Sequence, residues 1–164
     1  MDCFKNQKDL IIQEFIMDLY DDQFFMKKAL DEAIIAYEKG EVPIGAVIVV
    51  NNQIIARAHN LTETLNDVTA HAEMQAITAA ANYLGGKYLK DCTLYVTVEP
   101  CQMCAGALYW SQISRIVFGA RDAHRGCIAL KTKLHPKTNM FGGVLEEKSS
   151  EILKKFFIEK RNLN

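Results

Sequence analysis

Long apolar runs, a signal-like opening and Pro/Gly-rich stretches are all missing from this sequence. Nowhere do apolar residues run for the ~20 positions that a spanning helix needs. The opening MDCFKNQKDLIIQEF lacks the basic region, apolar run and small-residue cleavage site of a secretory signal. A cytoplasmic protein with no membrane association is therefore expected. Proline is scarce, at 3 residues, and the 9 glycines are spread too thinly to make a flexible segment. No repeat or low-complexity tract interrupts the 164 residues, which are 49% hydrophobic. One compact domain is expected, burying roughly 70% of the surface of its unfolded chain. A surplus of charge is also missing: the net charge of −1 gives no global signal for nucleic acid. The 5 cysteines are an odd number. In an intracellular chain this argues against a disulfide framework and for metal ligands or reactive thiols.

Charge is nevertheless unevenly spread. Arg115, Arg121, Arg125, Lys131, Lys133 and Lys137 face the single acid Asp122 within 23 residues, with His124 and His135 among them. A solvated loop face and a track for phosphates explain this segment equally well.

Residues 22–39 read as a helix, with Met26, Leu30, Ala33, Ile34 and Tyr37 on one stripe and Gly40 behind it. Two strands, 44–50 and 53–58, meet at Asn51-Asn52, a good tight-turn pair. An alanine-rich helix over 70–84 stops at Gly85-Gly86. CTLYVTV (92–98) has the composition of a strand buried on both faces. Pro100 begins a helix to about Gln112, RIVFGA is a further strand, and 121–142 is irregular. A short strand at 143–146 precedes a last helix at 149–161. A hairpin followed by alternating helices and strands predicts an α/β sandwich, with helices on both faces of a mixed sheet. Residues 1–20 stay unplaced, as an extra helix or an arm.

Two short runs carry chemistry. In DVTAHAEMQAI (67–77), His71 and Glu73 lie about 200° apart around a helix axis, so they share no face. They can share a target beyond the helix tip. In TVEPCQMCAGAL, Cys101 and Cys104 bring two sulfurs to the start of another helix, where the dipole favours thiolates. Two thiolates and one imidazole suit Zn2+, and three protein ligands leave a fourth position open, as catalytic sites do. Zinc lowers the pKa of bound water to about 7, and Glu73 is placed to move that water's proton. Taken alone, C-x-x-C also reads as a redox pair or half of a structural zinc site, and H-x-E as a core histidine beside a surface glutamate. Together, H-x-E followed by P-C-x-x-C is the signature of zinc deaminases acting on nucleobases. Cys92 reads as packing. Cys127 could close the metal site, but Glu73 would then lose its partner.

These runs, with EVPIGAVIV (41–49), Asn60, TLYVTVEPCQMCAGAL (93–108), RIVFGARDAHRG (115–126) and the tail 134–157, resemble the cytidine deaminase superfamily. The likeness is strongest to its bacterial tRNA-specific adenosine deaminases, and it spans residues 21–161. It implies a three-layer α/β/α cytidine-deaminase-like sandwich with a mixed five-stranded sheet, a deaminase domain over 21–164 and an N-terminal extension over 1–20. It further implies hydrolysis of wobble adenosine to inosine in a tRNA anticodon loop, by a homodimer with one zinc per subunit. Matched to the family's motifs, His71, Cys101 and Cys104 hold zinc, Glu73 shuttles protons and Asn60 binds the base. The backbone at Ala72 and a Val42-Pro43 wall line the pocket. Arg121, His124, Arg125 and the terminal KKFFIEKR, with Lys160 and Arg161, are candidate RNA contacts. Phe156 and Phe157 read as core. GALYWSQ (106–112) resembles guanine deaminases of the same superfamily, so a free-base (guanine or cytosine) deaminase is the alternative enzyme, although Tyr109 and Trp110 also read as residues packing a helix onto the sheet. A zinc-stabilised interaction domain without catalysis is the non-enzymatic alternative, and it requires a fourth ligand.

Overall fold

The computed structural model describes residues 20–163; the expectation for 1–20 lies outside them, Tyr20 excepted. Helix α1 (Asp22–Glu38) begins where the Asp21 carboxylate caps the amide of Phe24 at 2.7 Å. Strands β1 (Gly45–Val50) and β2 (Gln53–His59) form the hairpin, and Asn51 and Asn52 both take positive φ (49° and 58°). That is the backbone a two-residue hairpin turn demands, and asparagine tolerates it better than most residues. Helix α2 (Ala72–Leu84) ends on Gly85 at φ 65°. Strand β3 (Thr93–Val98), helix α3 (Gln102–Ser111), strands β4 (Arg115–Ala120) and β5 (Asn139–Phe141), and helix α4 (Glu146–Asn162) follow.

The five strands make one mixed sheet in the order β2-β1-β3-β4-β5, with β1 antiparallel to both neighbours and β3, β4 and β5 parallel. The period of two along each strand splits the core. Ala46, Ile48, Leu94, Val96, Ile116 and Phe118 face α2 and α3, meeting Ala72, Ala76, Ala80 and Leu108. Val47, Val49, Tyr95 and Val117 face α1, meeting Phe25, Met26 and Ala29. Helix α4 packs beside α1 on that second face. The three-layer sandwich expected from the sequence is the fold observed.

Four expectations are corrected. The fifth strand lies at 139–141, not 143–146: Gly142 sits against the Phe118 ring and Gly143 turns the chain at φ 90°, so α4 starts three residues early. The buried face of α1 is Phe25, Met26, Ala29, Glu32, Ala33 and Ala36, and Ile34 of the expected stripe is exposed. A Cβ on Gly45 would stand 2.0 Å from the carbonyl oxygen of Ala29, so α1 rides directly on β1 and only small residues fit beneath it. The helix expected to begin at Pro100 begins after Cys101, which is its N-cap. Trp110 does not pack on the sheet; it is 77% exposed on α3.

Candidate active site

The parallel strands β2, β3 and β4 end on one edge of the sheet, and the site gathers there, as ligands do in open α/β sheets. His71 is the N-cap of α2 and Cys101 the N-cap of α3, both in extended backbone. Neither side chain caps its own helix, so both are free to point past the tips. Although β1 separates the strands that lead into them, the two helix starts converge. His71 Nδ1 lies 3.6 Å from Cys101 Sγ and 3.5 Å from Cys104 Sγ, and all three donor atoms fall within 4.8 Å of one another.

That spacing tests the fit of a metal. Tetrahedral zinc with Zn–N near 2.05 Å and Zn–S near 2.3 Å separates nitrogen and sulfur ligands by about 3.6 Å. The three donors therefore stand at zinc spacing, and among the described residues no fourth metal-binding side chain joins them. Cys127, the one candidate for that place, is buried elsewhere, its sulfur 3.9 Å from both Glu99 Oε1 and Met140 Sδ. Among the described residues the interaction-domain alternative finds no fourth ligand. Cys92 packs in the core, as expected.

Charge at the cluster is strongly redistributed. The Cys104 hydrogen bond lowers Cys101 to about 4, against burial and with help from His71. The same bond, and then burial, push Cys104 up. His71 is raised, first by its bond to Cys101. Glu73 is 3% exposed, its Oε2 has no hydrogen-bond partner among the described residues, and burial raises its carboxyl to about 7. A buried carboxylate oxygen left without a partner is costly, which suits a group that is satisfied only when metal, water or ligand is present.

In front of the cluster opens a cavity of about 540 Å3, within the range of small-molecule sites. His71, Glu73, Cys101, Asn60 and Arg121 all line it, together with His124 and Arg125 from the basic segment. Pro43 and the Ala72 side chain lie behind these residues. Extended backbone alternates sides, so Val42 and Ile44 line the cavity while Pro43 is buried, and Ala72 points into the core.

Two contributors escaped the sequence reading. Glu99, 3% exposed, accepts from the amides of Ile128 (2.8 Å) and Asp122 (3.2 Å) and lies 3.8 Å from Arg121 Nε. It thereby holds the basic segment over the cavity. Its signal was an acid ending an otherwise apolar strand, just before a proline that keeps it extended. The other is the far wall, made by Leu153 and Phe157 of α4. Phe156 is core as expected, but Phe157 is 47% exposed and faces the cavity. Lys160 and Arg161 do not line it.

The profile of the cytidine and deoxycytidylate deaminase zinc-binding region matches residues 19–120. The tRNA-specific adenosine deaminase of Bacillus subtilis (strain 168) is 48% identical over 146 residues, covering 85% of this chain and 91% of that protein. A structure from a study of A-to-I editing by tRNA:A34 deaminases at the wobble position superposes with TM-score 0.75 and 43% identity, covering 79% of this chain and 99% of the other. A guanine deaminase from Bacillus subtilis matches with TM-score 0.59 and 42% identity, over 62% of this chain and 65% of its own. Zinc is the metal of this family, and the chain belongs to the cytidine and deoxycytidylate deaminases.

Proposed function

We propose that this protein is a zinc-dependent tRNA adenosine deaminase that converts the wobble adenosine of an anticodon loop to inosine, releasing ammonia. The observation that carries the reading is the meeting of two helix starts on one point, three zinc donors facing it and a buried carboxylate beside them. His71, Cys101 and Cys104 hold the metal. Bound there, zinc supplies the Lewis acid that makes water nucleophilic at neutral pH. Glu73 accepts one proton of the attacking water and delivers it to ring nitrogen N1 of adenine. It then takes the second proton, from the hydroxyl newly bound to C6, and gives it to the amino nitrogen, so that ammonia leaves as the C6–N bond breaks and the C6 carbonyl of inosine forms. Asn60 engages the base. The wobble base is already unpaired, so turning it into a pocket costs only a few kcal/mol.

RNA is favoured over a free base by the mouth of the cavity. Arg121 and Arg125 place cations there, the His124 imidazole lies beside them, and Phe157 offers an aromatic face at the rim. Stacking and phosphate contact are how single-stranded RNA is gripped. The likeness to a guanine deaminase supports a second reading, a free-base enzyme, which needs no such rim. We also propose that residues 21–164 form the deaminase domain, that the chain works in the cytoplasm, and that it is a homodimer with the Trp110 face of α3 in the contact.

Ammonia release from an anticodon stem-loop bearing wobble adenosine, measured against free guanine and cytosine, tests the substrate; release from guanine alone overturns it. In Glu73→Gln, zinc content and melting temperature hold while kcat falls about 10²–10⁴-fold. Retention of full turnover would remove Glu73 from the mechanism.

A further inference from the structure

We propose that Glu41 is a positioning residue that turns the Asn60 side chain so that its carbonyl oxygen, and not its amide nitrogen, faces the substrate. The inference rests on the deaminase reading and on Asn60 meeting the base.

Glu41 is fully buried yet does not line the cavity. Among the described residues no lysine or arginine forms an ion pair with it. Its partners are donors instead. Oε2 accepts from Asn60 Nδ2 (3.3 Å), Thr62 Oγ1 (3.3 Å) and the amide of Glu63 (3.1 Å), while Oε1 accepts from the amide of Thr64 at 2.7 Å. Burial works to raise this carboxyl, and the hydrogen bonds from Thr64, Glu63 and Thr62 overcome it, holding it below its ordinary value. The group is therefore a carboxylate at neutral pH, and a carboxylate only accepts.

That fixes the amide by elimination. The Asn60 atom facing Glu41 must be the NH2, because two oxygens would repel. Its second proton goes to Thr62 Oγ1 at 3.0 Å, and Thr62 has already given its own proton to Glu41. The triangle is closed, and the amide nitrogen has nothing left to donate. Asn60 is 3% exposed and lines the cavity, so the atom it offers a ligand is Oδ1.

A site that offers only an acceptor selects for a donor. On adenine, N7 accepts and the 6-amino group donates, and that amino group is the one that leaves. As it gains a proton its N–H bonds become those of a cationic donor, and hydrogen bonds to charged donors are roughly twice as strong as neutral ones. Oδ1 then holds the departing amine more tightly in the transition state than in the ground state, the kind of interaction that raises kcat.

The test exchanges the two groups. Asn60→Asp places two carboxylates face to face, and kcat is expected to fall steeply. Adding Glu41→Gln supplies an amide NH2 for the carboxylate introduced by Asn60→Asp, giving up the bond that Oε2 accepts from the Glu63 amide, restores the net charge of the pair and leaves an oxygen toward the cavity. The double variant should recover kcat about tenfold or more over Asn60→Asp on the stem-loop, with KM changing less than kcat. A double variant no better than Asn60→Asp overturns the proposal if its melting temperature matches that of the single variant. A second measurement avoids variants that fold poorly. In 15N-labelled, zinc-loaded wild-type protein, both Asn60 side-chain NH protons should stay slow to exchange and keep their shifts when purine riboside binds; a large shift in either means that the nitrogen serves the ligand, and overturns the proposal. If wild-type protein leaves the stem-loop unchanged, the functional reading fails, while the NH signals still decide the orientation.

Discussion

At the scale of single residues, identity and neighbourhood carry separate information. His71 and Cys101 are helix N-caps whose side chains leave the caps unfilled and meet across the sheet edge instead. Glu73 can be picked out from sequence because H-x-E is informative once P-C-x-x-C follows it. Phe157 cannot, since at helical spacing an exposed rim phenylalanine and a core one look alike. Its position at the cavity predicts a binding effect: Phe157→Ala should raise KM for the stem-loop about tenfold with kcat little changed, because loss of one aromatic–base stack costs about 1–3 kcal/mol. Steady-state kinetics on the stem-loop check this, and an unchanged KM would remove Phe157 from the substrate wall.

At the scale of elements, the first turn of α1 is fastened to the sheet by one charge. Asp22 meets Arg115 of β4 with two bonds of 2.7 Å and accepts from the Tyr95 hydroxyl of β3 at 2.9 Å. The Arg115 bond is the largest influence on Asp22 and holds its carboxyl below its ordinary value, against burial and with help from Tyr95. A depressed native pKa contributes stability that is present above the unfolded value and lost as pH falls through the native one. Both side chains are about one-third exposed (33% and 34%), so solvent screening reduces the gain. Asp22→Asn is expected to cost about 1 kcal/mol at neutral pH. Thermal melts of the two proteins should converge as pH falls below the usual carboxylate range. A constant gap down to acid pH would show that the charge is not what matters. The same helix explains why its apolar stripe misled: Ala29 and Ala33 let it lie on Gly45, and Ile34 is left on the side of α4.

At the scale of the whole molecule, a chain with a slight acidic surplus sets two arginines beside Glu99 and Asp122 at its cavity. The fold places Arg121, His124 and Arg125 at the cavity and leaves the acids of α1 away from it. Binding of the stem-loop should weaken with salt. Arg121→Gln with Arg125→Gln should reduce the slope of log K against log salt by about 1.4, from two phosphates at about 0.7 each. An unchanged slope would mean these arginines do not meet the backbone. Trp110, 77% exposed on α3, is the side chain on which the proposed dimer contact is tested. Trp110→Glu is expected to give monomers in sedimentation velocity, and a dimer that persists would move the contact elsewhere.

Element order, the hairpin turn, the three zinc-type donors and the choice of Glu73 are legible in the residues alone. Each is written in local spacing: a period of two or 3.6, an Asn-Asn pair, or ligands close to a helix start. Tertiary structure alone decided what closes the cavity. Glu99, Phe157 and Glu41 act through partners distant in the chain, and no periodicity records such pairings. It also decided that strand β1 would lie between the two that feed the site, that Pro43 would stand behind the wall, and that Gly142 and Gly143 would end β5 early. These outcomes follow from how closely helices approach the sheet, a property of packed volumes rather than of local pattern.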